Sequence, residues 1–261
     1  MAEELKLSVS KTKTFLDCAK KFKFSYILKL PKKEFEYHTF GKFCHKVLED
    51  FHLEYVNGSD RPYNRAMGEA FKAAKAEYKE KLTPEMEKEC FGICDQYLKL
   101  ISEQKKTNTY PNVIACEKSF SLNVRGDVIL NGMIDRIQID GDGVLHVADY
   151  KTTKNKKYLK KDLFQLLTYA YVLASENPDV KKIRGSYILL RHAFEQITVE
   201  FDIEEILKIK EKYIEYADKI LSEQEFKANP TVLCGYCDFL DFCDEGKSKV
   251  KPKISFGETD W

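Results

Sequence analysis

Three features of the sequence predict an α/β fold with a helical front end. Amphipathic helices fill roughly the first 110 residues, and the apolar period then drops from about 3.6 to 2. The tail carries Cys234, Cys237 and Cys243 within ten residues. The 261 residues suit one domain, with 1–110 helical, 111–201 the core, and 202–261 a final helix and cysteine-bearing segment.

Each element has its own signal. Ser10 offers an N-cap, and Phe15, Cys18, Phe22 and Tyr26 follow at helical spacing. A second helix is expected from about Thr39 to Tyr55, with Cys44, Leu48, Phe51 and Tyr55 on one face. Two more are expected near Arg65–Lys81 and Pro84–Glu103, so this part reads as wholly helical. Val113–Phe120, Val128–Ile139 and Val144–Lys151 alternate as strands, with Gly141-Asp142-Gly143 turning between the last two. Asp162 caps a helix through Leu163 to Ala174, which Asn177-Pro178 ends. Ile183–Arg191 and Gln196–Phe201 form another strand pair, and a long helix runs from Asp202 to about Glu225.

Composition narrows the classes. Hydrophobic residues make up 43% and charged residues 33%, enough for a packed core. No run reaches the roughly 18 apolar residues of a membrane span, and MAEELKLSVSK lacks a signal-peptide centre, so a soluble cytoplasmic protein is expected. The net charge of +1 announces no nucleic-acid partner. Lysines are nevertheless clustered. Eight lie between Lys11 and Lys33 with Asp17 the only acid, and six between Lys151 and Lys161 with none. Such clusters can neutralise phosphates, although charge alone favours a solvated surface.

The acidic strand pair carries the chemistry. Met133, Asp135, Ile137 and Ile139 share one strand side, as do Leu145, Val147, Asp149 and Lys151 on the next. An acid within an apolar stripe is costly unless paired, and two crowded carboxylates call for a cation. Hard oxygen ligands suit Mg²⁺ or Mn²⁺. Taken alone, Asp149-x-Lys151 reads sooner as a surface salt bridge, and His45 as a partly buried core histidine. Gln165 and Tyr169 share a helix face through their spacing of four. They could position a DNA strand or pack into the core. No G-x-x-x-x-G-K-[ST] loop is present, so an ATP-driven motor would be a separate protein.

The order of these motifs resembles the RecB-like branch of the PD-(D/E)XK nucleases. Gly132-Met133-Ile134-Asp135-Arg136-Ile137 and Val147-Ala148-Asp149-Tyr150-Lys151-Thr152 are similar to its motifs II and III. Gln165-Leu166-Leu167-Thr168-Tyr169 resembles its Q-x-x-x-Y motif, and Gly41-Lys42-Phe43-Cys44-His45 its G-x-x-x-H motif. Ser8-Val9-Ser10 with Phe15 and Cys18 is similar to its opening. The resemblance implies a restriction-endonuclease-like core, a mixed sheet flanked by helices, and phosphodiester hydrolysis in DNA. It implies a divalent ion on His45, Asp135, Asp149 and the Tyr150 carbonyl. Lys151 would orient water or stabilise the transition state, and Glu117 would stand nearby. Beside what the resemblance implies, Gln165 and Tyr169 through their shared helix face, and Lys154, Lys156 and Lys157 through the lysine cluster, are expected to contact DNA.

Cys234, Cys237 and Cys243 need a fourth ligand for a thiolate site. Thiolate chemistry alone leaves zinc and iron–sulfur open. AddB-type and CRISPR-associated relatives hold a four-iron four-sulfur (4Fe-4S) cluster on one early and three late cysteines, and Cys18, Cys234, Cys237 and Cys243 match that pattern. Cys44, Cys90, Cys94 and Cys116 read as small core residues. The expectation is an exonuclease on single-stranded DNA ends, in recombination, repair or CRISPR adaptation, with helicase or adaptation partners in trans. An end-binding adaptor with an idle site is the alternative, against which the intact Asp135, Asp149 and Lys151 set argues. A zinc-stabilised interaction domain would leave the acidic strands unexplained.

Overall fold

The computed structural model describes residues 4–33, 35–157, 159 and 162–250. They form two compact units, residues 4–9 with 35–217, and residues 10–33 with 218–250. Among the described residues no helix is long and apolar enough to cross a membrane.

The first unit is a mixed six-stranded sheet between helices. Its strands are β1 (Leu5–Leu7), β2 (Asn112–Arg125), β3 (Val128–Ile139), β4 (Leu145–Lys151), β5 (Lys182–Leu189) and β6 (Glu195–Asp202). β1 pairs parallel with β3, and β2 and β4 pair antiparallel with it. β4 and β5 are parallel, so the chain between them must cross over. The three-residue β1 departs from the expected all-helical front. It is too short for alternation to register and exists only through its pairing with β3.

The chain ahead of the strands folds into α3 (Glu36–Val56), α4 (Tyr63–Tyr78) and α5 (Pro84–Lys106), which follow α1 (Val9–Asp17) and α2 (Ala19–Phe22). Phe40, Phe43, Val47, Phe51, Met67 and Ile101 of these three helices form one core with Ala148, Tyr150 and Ile188 of the sheet. Cys44, Cys90 and Cys94 belong to that core, and Cys116 is buried as well. The crossover helix α6 (Phe164–Glu176) lies on the other face, where a Cβ on Gly185 would meet Leu166 Cβ at 3.1 Å. Its N-cap is Leu163, not the expected Asp162, whose carbonyl instead accepts from the Tyr187 hydroxyl at 2.7 Å. α7 (Ile203–Ser222) follows β6.

The second unit holds the rest of α1, then α2, a π turn at Lys23–Ile27, two 3₁₀ turns (Val232–Tyr236 and Leu240–Phe242) and α8 (Asp244–Lys247). The single helix expected behind Ser10 is corrected in two ways. It starts at Val9, ahead of Ser10, and it breaks at Cys18. Cys18 is extended (φ −164°, ψ 107°), and its sulfur caps α2 by accepting from the Lys21 amide. Phe22 packs edge-on to Phe15 and stacks on Phe226, which ties the two chain segments of this unit together.

Candidate metal centre and cysteine site

The β3–β4 ladder ends at Arg136↔Ala148, so the strands stop pairing just where Asp135 and Asp149 stand. The Tyr150 amide, released from the ladder, donates instead to Asp135 Oδ2 at 2.8 Å. A side chain thereby satisfies a main-chain donor that would otherwise be buried unpaired. His45, inside α3, approaches from the helical layer. Its Nδ1 is 3.3 Å from Asp135 Oδ2, and its Nε2 is 3.0 Å from the Tyr150 carbonyl oxygen. Glu117 joins from β2 with φ at +44°, a left-handed conformation that costs a non-glycine residue energy.

Ligand atoms of His45, Glu117 and Asp135 all lie within 4.8 Å of one another, the only such His/Cys/Asp/Glu group among the described residues. The electrostatics fit a cation. Burial, and then Asp149, holds the Asp135 carboxyl well above the ordinary carboxylate range. Burial, followed by Glu49 and Asp149, pushes Glu117 up to about 7. Burial also lowers His45, which favours the neutral imidazole that ligates metals. Two carboxylates and an imidazole are a donor set for a hard or borderline divalent ion.

Asp149 stands outside this group and is buried, with partners of its own. Lys151 Nζ lies 2.7 Å from Asp149 Oδ2 as an ion pair, and Gln165 Nε2 donates to Asp149 Oδ1 at 2.6 Å. Gln165 Oε1 accepts from Lys151 at 2.8 Å, and its amide also reaches the Tyr169 hydroxyl at 2.9 Å. The glutamine thus joins the acid and the lysine. Tyr169 is buried, with its ring edge-on to Phe120. Of the lysines after β4, Lys156 pairs with Glu195, and the Lys154 charge acts on Glu89. Lys157 is exposed, and Lys160 and Lys161 lie outside the described residues.

Sequence reasoning passed over Glu49 and Arg136. Glu49 is one turn beyond His45 on α3, and that spacing of four was the available signal. Arg136 sits beside Asp135 but faces the helical core, where it is buried.

Cys18, Cys234, Cys237 and Cys243 line one cavity of the second unit, with Lys20, Lys21 and Phe24 beside them. Main-chain amides point at the sulfurs. Those of Lys21 and Asn229 donate to Cys18 at 3.4 and 3.5 Å, that of Thr231 to Cys234 at 3.3 Å, and that of Gly246 to Cys243 at 3.3 Å. At Cys243 the Gly246 amide works against burial, which on balance raises the thiol, as burial also does at Cys237. The four sulfurs are not gathered around a single point, since among the described residues no three cysteines share the 4.8 Å spacing.

The chain matches the PD-(D/E)XK nuclease superfamily over residues 6–244. It is 24% identical over 196 residues to a component of the ATP-dependent helicase/deoxyribonuclease of Streptococcus pyogenes serotype M1, covering 71% of this chain and 18% of that protein. The serotype M6 counterpart is 25% identical over the same shares. This chain therefore spans less than a fifth of these relatives. A crystal structure of a candidate exonuclease from Eubacterium rectale shares the fold, with a TM-score of 0.53 at 12% identity, covering 95% of this chain and 90% of that one. With the superfamily matched across nearly the whole chain, this protein belongs to the PD-(D/E)XK nuclease superfamily.

Proposed function

We propose that the protein is a Mg²⁺- or Mn²⁺-dependent deoxyribonuclease that acts as an exonuclease on single-stranded DNA ends. The carrying observation is the His45, Glu117 and Asp135 group beside the Asp149–Lys151 pair. His45, Asp135 and Glu117, together with Asp149 and the Tyr150 carbonyl, are the residues that would hold the ion. When bound, it supplies Lewis acidity toward a phosphoryl oxygen and a more acidic water. Lys151, steered by Asp149 and Gln165, would offer its ammonium to the negative charge that grows on the phosphate. Asp149 keeps that lysine oriented, and Gln165 holds both partners in register. Tyr169 braces the glutamine from behind. Lys154, Lys156 and Lys157 lie on the segment after Lys151, where they would guide the strand's phosphates.

The cysteines of the second unit hold a 4Fe-4S cluster in this reading. A tetrahedral zinc site draws its sulfurs to about 3.8 Å from one another, given Zn–S bonds of about 2.3 Å. A cubane is a larger body and keeps its thiolates further apart. Shared lining of one cavity and amides aimed at the sulfurs support this reading. The setting we assign is DNA-end processing in recombination, repair or CRISPR adaptation in the cytoplasm. A helicase would be a separate partner, as the naming of the streptococcal relatives suggests.

The test uses single-stranded DNA labelled separately at each end, incubated anaerobically with Mg²⁺, Mn²⁺ or chelator, with Asp149→Ala in parallel. Metal-dependent release of label, absent from the variant, is the expected result. Intact DNA in both metals with retained binding would replace the enzyme by an end-binding adaptor.

A further inference from the structure

Arg136 neighbours Asp135 on β3, yet its side chain enters the opposite face of the sheet, where it is 3% exposed. A guanidinium there is costly unless it is paired or fully hydrogen-bonded. Its partners are all neutral. Nη1 donates to the Tyr97 hydroxyl at 3.1 Å and to the Tyr150 hydroxyl at 3.2 Å, and Nη2 donates to Gln138 Oε1. Nε has no hydrogen-bond partner among the described residues. Tyr97 in turn contacts His52 Nε2 at 2.7 Å. The core retains a charge that an apolar side chain of similar volume would replace at lower cost.

The grip on Tyr150 suggests a reason. The main chain of this one residue touches two members of the candidate metal centre. Its amide donates to Asp135 Oδ2 at 2.8 Å, and its carbonyl faces His45 Nε2 at 3.0 Å. Its phenol passes through to the far face, buried in the α3–α5 core, and ends on Arg136. On its β3 side the peptide at the site has no ladder to fix it, because β3 and β4 stop pairing at Arg136↔Ala148, while β5 pairs along its other side at Tyr150↔Ile188. The Arg136–Tyr150 contact supplies an anchor just where the ladder gives out.

We propose that Arg136 is a positioning residue for the divalent ion: by pinning the Tyr150 phenol it fixes the peptide that orients Asp135 and His45. The inference rests on the metal reading above and assigns the ion's affinity partly to a residue that cannot touch it. Supports of this kind are worth about 10–100-fold in metal affinity where they have been removed.

The experiment measures Mn²⁺ binding to the full chain by the loss of the free-ion EPR signal, alongside melting temperature and turnover. Arg136→Lys keeps the charge and loses the fork, and should weaken Mn²⁺ binding about tenfold or more. Turnover at subsaturating metal should fall with it, while KM for DNA stays put. Tyr150→Phe keeps the ring and removes only the hydroxyl, so it should move affinity in the same direction and carries the test should the arginine variant fail to fold. Tyr97→Phe removes the other hydrogen bond from the same Nη1 and leaves the Tyr150 contact in place, and should lower melting temperature with Mn²⁺ affinity unchanged. Wild-type affinity in both Arg136→Lys and Tyr150→Phe, with only their melting temperatures lowered, would overturn the positioning role alone. A wild type that binds no Mn²⁺ would overturn the metal reading and this inference together.

Discussion

Gln165 donates its side-chain amide to Asp149 Oδ1 at 2.6 Å. The same amide group accepts from Lys151, so one helical residue sets the spacing between acid and lysine. Hydrogen bonds to charged groups contribute about 1.5–3 kcal/mol, and each ~1.4 kcal/mol of lost transition-state stabilisation slows a step about tenfold. Gln165→Leu should therefore lower the single-turnover rate by roughly tenfold to a hundredfold while DNA binding persists. A loss confined to DNA affinity would make Gln165 a strand contact instead.

Lys151→Ala removes the ammonium that faces Asp149 and Gln165. The loss of one preorganised charge stabiliser costs ~10²–10³ in rate. Mn²⁺ affinity should hold, because Lys151 supplies no ligand atom to the His45, Glu117 and Asp135 group. Parallel loss of ion binding and rate would show that the lysine holds the site together rather than serving the chemistry.

The sequence revealed the sheet and the acidic pair because alternation along β3 and β4 is local and each acid interrupts an apolar stripe. The elements from α3 to β4 needed only periodicity. β1 escaped because three residues carry no period. The break at Cys18 escaped because helical spacing runs unbroken through Phe15, Cys18 and Phe22, whereas the cap depends on a sulfur that also faces the distant Asn229 amide. Arg136 and Glu49 act through cross-strand and helix-to-strand proximity, which spacing along one segment does not encode.

Gly185 of β5 shows how packing places Gln165. A Cβ there would meet Phe201 Cε2 at 2.9 Å and Leu166 Cβ at 3.1 Å, so α6 comes this near only over a glycine. Leu166 is the residue after Gln165. Gly185→Ala should cost about 1–3 kcal/mol of stability through overpacking. It should also reduce turnover in the protein that remains folded, by lifting Gln165 from Asp149. Denaturant midpoints with activity per folded molecule test this, and unchanged specific activity would separate the packing from the site.

On the proposed cluster reading, Cys234→Ala should abolish the brown chromophore, lower bound iron in elemental analysis and reduce thermal stability, because its sulfur is one of four lining a single cavity. Zinc in a colourless wild type would replace the cluster by a mononuclear site. A metal-free wild type of equal stability would remove the metal altogether.

Loading the candidate metal centre should release protons. Asp135 sits well above the ordinary carboxylate range through burial and Asp149, and Glu117 is raised to about 7. An ion binds ionised carboxylates and so competes with the protons these groups retain. Below about pH 7 the free site keeps protons that Mn²⁺ must displace. Affinity then rises with pH and proton release accompanies binding. As pH climbs past these raised values the carboxyls ionise unaided, so release fades and affinity levels off. His45 adds less to the release, since burial lowers it and favours the neutral imidazole. Titration calorimetry in two buffers of different ionisation enthalpy counts the protons directly. Binding without proton release at about pH 6 would mean that both carboxyls are already ionised in the free protein, their mutual repulsion relieved by another cation.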